Sequence, residues 1–134
     1  MKILIINGPN LNLLGTREPE IYGTTSMEQV LTQLVDEFPK HEIEYFQSNH
    51  EGGIIDKLQE SVFDTLIINP GAFTHYSYAI ADCLKNINKK KIEVHISNIY
   101  QREGFRQKSV TAAYTDSIIS GFGISGYRLA VLSL

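Results

Sequence analysis

The sequence predicts an α/β fold, a doubly wound parallel sheet of five strands with helices on both faces. Three observations predict it. Short apolar runs such as Ile3–Ile6 and Thr65–Ile68 stop abruptly at turn residues, as strands buried on both faces do. Longer segments between them carry apolar residues at helical spacing. The two kinds of segment alternate along the chain, which puts crossover helices between parallel strands.

The elements follow in order. Ile3–Ile6 is the first strand and ends at Asn7-Gly8-Pro9-Asn10. Met27, Val30, Leu31, Leu34, Val35 and Phe38 form a helical stripe. Thr25 and Glu28, three apart, read as its capping box, and Pro39 closes it. Glu42–Gln47 is the second strand. Ser48 and Glu51 read as a second capping box, opening a helix through Ile54, Ile55, Leu58 and Val62. Thr65–Ile68 is the third strand, stopped by Asn69-Pro70-Gly71. A helix over Tyr76–Asn88 leads to a fourth strand over Ile92–Ile96. A short helix near Arg106–Ala113 and a fifth strand over Ser117–Ser120 come next. Gly121-Phe122-Gly123 then turns the chain into a last helix, Tyr127–Leu134. The flavodoxin-like strand order 2-1-3-4-5 fits this series. One long segment, 7–26, has no periodicity, and loops of that length inside a compact domain are usually functional.

Composition narrows the class. The chain of 134 residues fits one domain spanning 1–134. A net charge of −3 argues against a nucleic-acid surface but not against a small anionic substrate, which needs only a local arginine cluster. The single cysteine, Cys83, shares a helical stripe with Ile80, Leu84 and Ile87, so it reads as a buried structural thiol in a reducing cytoplasm. The apolar run after Met1-Lys2 is too short for a signal-peptide core, and no stretch approaches membrane-spanning length. The four histidines show no ligand spacing, so no metal site is expected. Lys89-Lys90-Lys91 reads as a solvated corner between helix and strand, His41 as a surface residue and His50 as a helix-start residue.

Open parallel sheets bind ligands at the carboxyl ends of their strands, near the switch in strand order. Asn7–Asn10, Asn69–His75 and His95–Asn98 all fall on that edge. They offer amides, His and Ser, with Tyr22 and Arg17 on the loop after strand 1 and arginines after strand 4. The dinucleotide and Walker glycine signatures are absent. A receiver domain would need an acidic pair after strand 1 and an Asp closing strand 3, where this chain has Asn7–Asn10 and Asn69. A flavin-binding module is a further rival, and a colourless protein would count against it. On position alone, Tyr22 is an ordinary loop tyrosine and Arg17 a solvated charge. Asn10 and Asn69 read as turn residues or site groups, His95 as a structural or a catalytic histidine, and Arg102 and Arg106 as helix-surface charges or site cations, Arg106 leaning to the site.

The motifs taken together add more. Asn7–Gly15, Arg17–Gly23, Gln47–Gly52, Asn69–Ala72 with Thr74-His75, Glu93–Asn98, Arg102–Arg106 and Gly121–Tyr127 stand in order along nearly the whole chain. In this the sequence resembles the type II 3-dehydroquinate dehydratases. The resemblance implies a flavodoxin-like fold and an enzyme of the shikimate pathway that converts 3-dehydroquinate to 3-dehydroshikimate. It implies no metal, no organic cofactor and no Schiff base. It also implies a homododecamer, a tetramer of trimers.

The resemblance further implies roles. Tyr22 is the base, and because a free tyrosine titrates near ~10 it needs a nearby cation, Arg17 or Arg106, to favour the phenolate. Arg17 carries a transition-state role as the alternative. Asn10 orients a water toward the enolate oxygen. His95 is the general acid, with Glu93 two residues back on the same strand face to keep it protonated. Asn69, His75, Ser97 with the Ile96 backbone, and Arg106 hold the hydroxyls and carboxylate, Arg106 suiting the carboxylate by bidentate geometry. Asp82 reaches toward a neighbouring subunit's site. The loop from Gly15 to Gly23 closes as a lid.

Overall fold

The computed structural model describes residues 1–16, 20 and 24–134. The expectations for Arg17, for Tyr22 and for lid closure lie outside the described residues. Five strands, β1 (Lys2–Asn7), β2 (Glu42–Gln47), β3 (Thr65–Asn69), β4 (Lys90–His95) and β5 (Ser117–Ser120), form one sheet in the order β2-β1-β3-β4-β5. Every neighbouring pair is parallel. The predicted strand order is therefore the observed one.

Alternation along β1 and β3 builds two cores. Ile3, Ile5 and Ile67 face α1 (Met27–Glu37) and α4 (Ser125–Leu132), where they meet Val30, Leu34, Tyr127 and Val131. Leu4, Ile6, Leu66 and Ile68 face the other way, onto α2 (Glu51–Glu60) and α3 (Tyr78–Lys85), meeting Ile54, Leu58, Ile80 and Leu84. Successive strand residues point to opposite faces, so a strand covered on both sides must be apolar throughout. Full burial of one such Ile or Leu contributes about 1.5–3 kcal/mol. Cys83 lies in the second core as a buried free thiol, and burial pushes its pKa up.

The helix ends differ from the sequence reading in ways that have local causes. The α1 capping box is Ser26 with Gln29 rather than Thr25 with Glu28. The two boxes are offset by one residue, and with Ser26 as N-cap the helix opens on Met27, which is buried with Val30 and Leu34. No box forms at α2. Ser48 Oγ instead accepts from the His50 amide, and Glu51 accepts from the Ser77 hydroxyl at the start of α3. That same Ser77 caps α3 through the Ile80 amide, so the helix begins at Tyr78, after a 3-10 turn over Gly71–His75. The α2 helix stops at Glu60, and Val62 is exposed beyond it. No α-helix spans Arg106–Ala113, where only two 3-10 turns occur, Gly104–Gln107 and Ala112–Tyr114. Lys90 and Lys91 open β4, and the last helix starts at Ser125.

Candidate active site

A cleft lies over the carboxyl ends of β1, β3 and β4, at the switch in strand order. It is lined by Pro9, Asn10, Leu11, Asn69, Gly71, Ala72, His75, His95, Ile96, Ser97, Ile99, Arg102 and Arg106. Asn10, Asn69, His75, His95, Ile96, Ser97 and Arg106, all expected to act within their own chain, are therefore in it, while Glu93, expected beside His95, is not. Asp82, expected at a neighbour's site, is exposed on α3 and does not line this cleft.

The floor of the cleft depends on close backbone approach. A Cβ on Gly8 would lie 2.2 Å from the Pro70 carbonyl oxygen, so only glycine lets the β1 and β3 turns meet. Asn10 has φ 66°, a left-handed conformation that asparagine tolerates better than most residues. Its amide N–H donates to Asn49 Oδ1 at 3.0 Å, which ties the β1 turn to the end of β2.

Asn69, 3% exposed, is held on both sides of its amide. Its Oδ1 accepts from the Gly71 N–H at 3.1 Å, and its Nδ2 donates to the Tyr127 hydroxyl at 3.1 Å. Tyr127 in turn donates to Asn7 Oδ1 at 2.7 Å, and Asn7 Nδ2 reaches the Tyr45 hydroxyl at 3.4 Å. Burial pushes the Tyr127 phenol far up, against the pull of Asn69 and Asn7, so the group stays neutral.

The β4 end holds a charged pair. Glu93 and His95 share a strand face, and His95 Nε2 donates to Glu93 Oε2 at 2.7 Å. Glu93 is fully buried. Burial alone would push its carboxyl up, but hydrogen bonds and charge from His95, with hydrogen bonds from Thr111 and Ser109, hold it below the usual carboxylate range. Ile92 and Val94 alternate with the pair and enter the opposite core.

The remaining wall is cationic. His75 donates from Nδ1 to the Lys108 carbonyl at 2.7 Å. Burial lowers its pKa, the Lys108 contact opposes this, and the charges of His95, Arg106 and Arg102 lower it further. Arg102 donates to Ser97 Oγ at 3.2 Å, and Arg106 Nε donates to Glu103 at 2.8 Å. Arg102, which position alone left open between surface and site, thus lines the cleft. An anion with hydroxyls suits such a wall. Among the described residues no group of three His, Cys, Asp or Glu is placed to hold a metal ion.

Sequence reasoning missed Ser109 and Thr111, and used Asn7, Thr74 and Tyr127 only as parts of motifs. No periodicity or motif flags a side chain that reaches the site from another element. The one local signal was the two hydroxyls, Ser109 and Thr111, in a stretch too weakly periodic for a helix.

Fold and site together define a flavodoxin-like α/β domain whose switch-point cleft pairs a buried His–carboxylate dyad with a cationic, amide-rich wall. A model of the family described as dehydroquinase class II matches residues 1–134. Two relatives named 3-dehydroquinate dehydratase are each 56% identical to the chain. The one from Thermotoga petrophila aligns with 98% of this chain and 92% of its own, and the one from Caldicellulosiruptor bescii with 99% and 95%. Among solved structures, the type II dehydroquinase from Butyrivibrio crossotus superposes with a TM-score of 0.95 at 50% identity, over 99% of this chain and 96% of that one. That from Propionibacterium acnes has a TM-score of 0.90 at 39% identity, over 98% and 94%. The chain belongs to the class II dehydroquinase family.

Proposed function

We propose that this chain dehydrates 3-dehydroquinate to 3-dehydroshikimate, a hydro-lyase step of the shikimate pathway, by abstraction of a proton beside the ketone and loss of a hydroxyl one carbon further on. The observation that carries the reading is the buried Glu93–His95 pair, of which His95 lines the cleft. The carboxylate accepts from Nε2 and fixes the ring, and among the described residues Nδ1 has no hydrogen-bond partner. His95 then gives the departing hydroxyl its proton from Nδ1.

Tyr22 is the proposed base and Arg17 its partner on the same loop, with Arg106 as the second cation that favours the phenolate. Asn10 holds the water that stabilises the enolate oxygen. Asn69, His75, Ser97, the Ile96 backbone and Arg106 bind the substrate's carboxylate and hydroxyls. The support for this binding set is that all five line one cleft, with Asn69 locked at both ends of its amide. Asp82, exposed on α3, is assigned to a neighbour's site within a homododecamer, a tetramer of trimers, whose mass light scattering reads directly. The enzyme's proposed location is the cytoplasm. No described helix is long and apolar enough to cross a membrane.

The experiment is enone absorbance after adding 3-dehydroquinate to the purified protein. Wild type should convert it, and Tyr22→Phe should lose roughly 10²–10⁴-fold in turnover, the range a general base contributes. Near-wild-type turnover in Tyr22→Phe would remove the base assignment. No turnover by wild type would remove the reaction itself.

A further inference from the structure

Three hydroxyls from two separate segments converge on the buried carboxylate behind His95. Thr111 Oγ1 donates to Glu93 Oε1, and Ser109 Oγ donates to Oε2 at 2.9 Å. Thr74 Oγ1 lies 3.2 Å from Oε2 and 2.7 Å from each of the other two hydroxyls. The backbone brings the segments together, since the Val110 N–H donates to the Thr74 carbonyl at 2.7 Å. Thr74, Thr111 and Glu93 are each 0% exposed, so bulk water does not compete with these bonds. The carboxylate thus has hydroxyl donors on both oxygens, in addition to the imidazole.

We propose that Thr74, Ser109 and Thr111 are positioning residues that hold Glu93 as a carboxylate beneath His95 and so keep in place the charge and the ring orientation that His95 uses in the reaction. The inference rests on the reading of His95 as the acid, and it concerns residues that touch neither substrate nor the reacting atoms. Its physics is donor count. A neutral Glu93 would offer His95 no charge. Hydroxyl donors favour the ionised carboxyl over the neutral one, so each lost donor lets Glu93 take up a proton at a higher pH.

The other charged groups near the pair act alongside this cage. His75, Arg102 and Arg106 line the same cleft, and Glu103 engages both arginines. The flanking strands set Ile68, Ile118 and Ser120 beside the pair, none of them titratable.

Two substitutions at one position separate charge control from packing. Thr111→Val keeps the shape and loses the hydroxyl, whereas Thr111→Ser keeps the hydroxyl and loses a methyl. The readout is the midpoint at which kcat is lost on acidification, with the melting temperature beside it. Thr111→Val should raise that midpoint by about one pH unit, as loss of one charge-assisted bond to Glu93 predicts, and Thr111→Ser should follow wild type. An unmoved midpoint in Thr111→Val, or an equal shift in Thr111→Ser, would overturn the proposal. If Thr111→Val does not fold, Ser109→Ala is read in the same way, with the same two outcomes. If wild type shows no turnover, the reaction is removed, and the cage is still tested by the pH at which the melting temperature declines, which Thr111→Val should raise.

Discussion

Two buried polar networks flank the cleft, and they are built from different chemistry. Behind β1 and β3, Tyr45, Asn7, Tyr127 and Asn69 are linked by neutral phenols and amides. Behind β4, a carboxylate sits among hydroxyls and an imidazole. The neutral network has no charge to regulate. It consumes donors and acceptors so that the Asn69 amide has one orientation. The charged network has little freedom of geometry to correct, because a strand already puts Glu93 and His95 on one face. Its work is to decide where a proton resides. One network orients a binding group and the other sets an acid, and substitutions should separate the two.

The largest effect is expected on the charged side. Glu93→Gln keeps the shape and removes the charge that faces His95, so kcat should fall about a hundredfold or more, with KM changing far less. Steady-state kinetics at several pH values checks this, and a fall in KM affinity with kcat intact would exchange the roles assigned to the two networks.

A smaller and different effect is expected on the neutral side. Tyr127→Phe leaves Asn7 Oδ1 without its donor and Asn69 Nδ2 without its acceptor. The cost should be about 1–3 kcal/mol for each buried group left unpaired, read by denaturant unfolding. KM should rise several-fold as the Asn69 amide loses its fixed orientation, with kcat nearly retained.

The smallest effect is a pH dependence of stability. The Glu93 carboxyl is held below its ordinary value of 4.5, so its contribution is complete above that pH and is lost as pH falls through the lower folded value. His75 has the same sign, since its folded pKa lies below its ordinary 6.5 and the folded state resists taking up the proton. The melting temperature should therefore decline on acidification below about pH 6.5 and decline further below about 4.5. Glu93→Gln should flatten only the lower part. The neutral network should leave no mark on this profile, because Tyr127 does not ionise in that range.

What was legible in the sequence follows the range of the forces involved. The first and third strands were readable because β1 and β3 carry apolar runs bounded by turns, and burial on both faces leaves no other pattern. The Glu93–His95 pair was readable because a two-residue spacing in a strand is a geometric statement. The helix expected over Arg106–Ala113 was not, because its residues are drawn into distant bonds. Ser109 and Thr111 donate to Glu93, the Lys108 carbonyl accepts from His75, and the Val110 amide bonds Thr74. The Ser48–Glu51 box failed for the same reason, Glu51 being taken by Ser77 on another helix. Tyr127 looked like one more apolar helix position, and only the fold brings its hydroxyl between two asparagines that are themselves 62 residues apart in the chain, on neighbouring strands.

The most direct measurement is the turnover of 3-dehydroquinate by His95→Ala against wild type, with folding verified by melting and with the pH profile recorded. The account predicts a loss of roughly 10²–10⁴-fold in kcat, with the limb assigned to the acid gone from the profile. Wild-type turnover and an unchanged profile would contradict it.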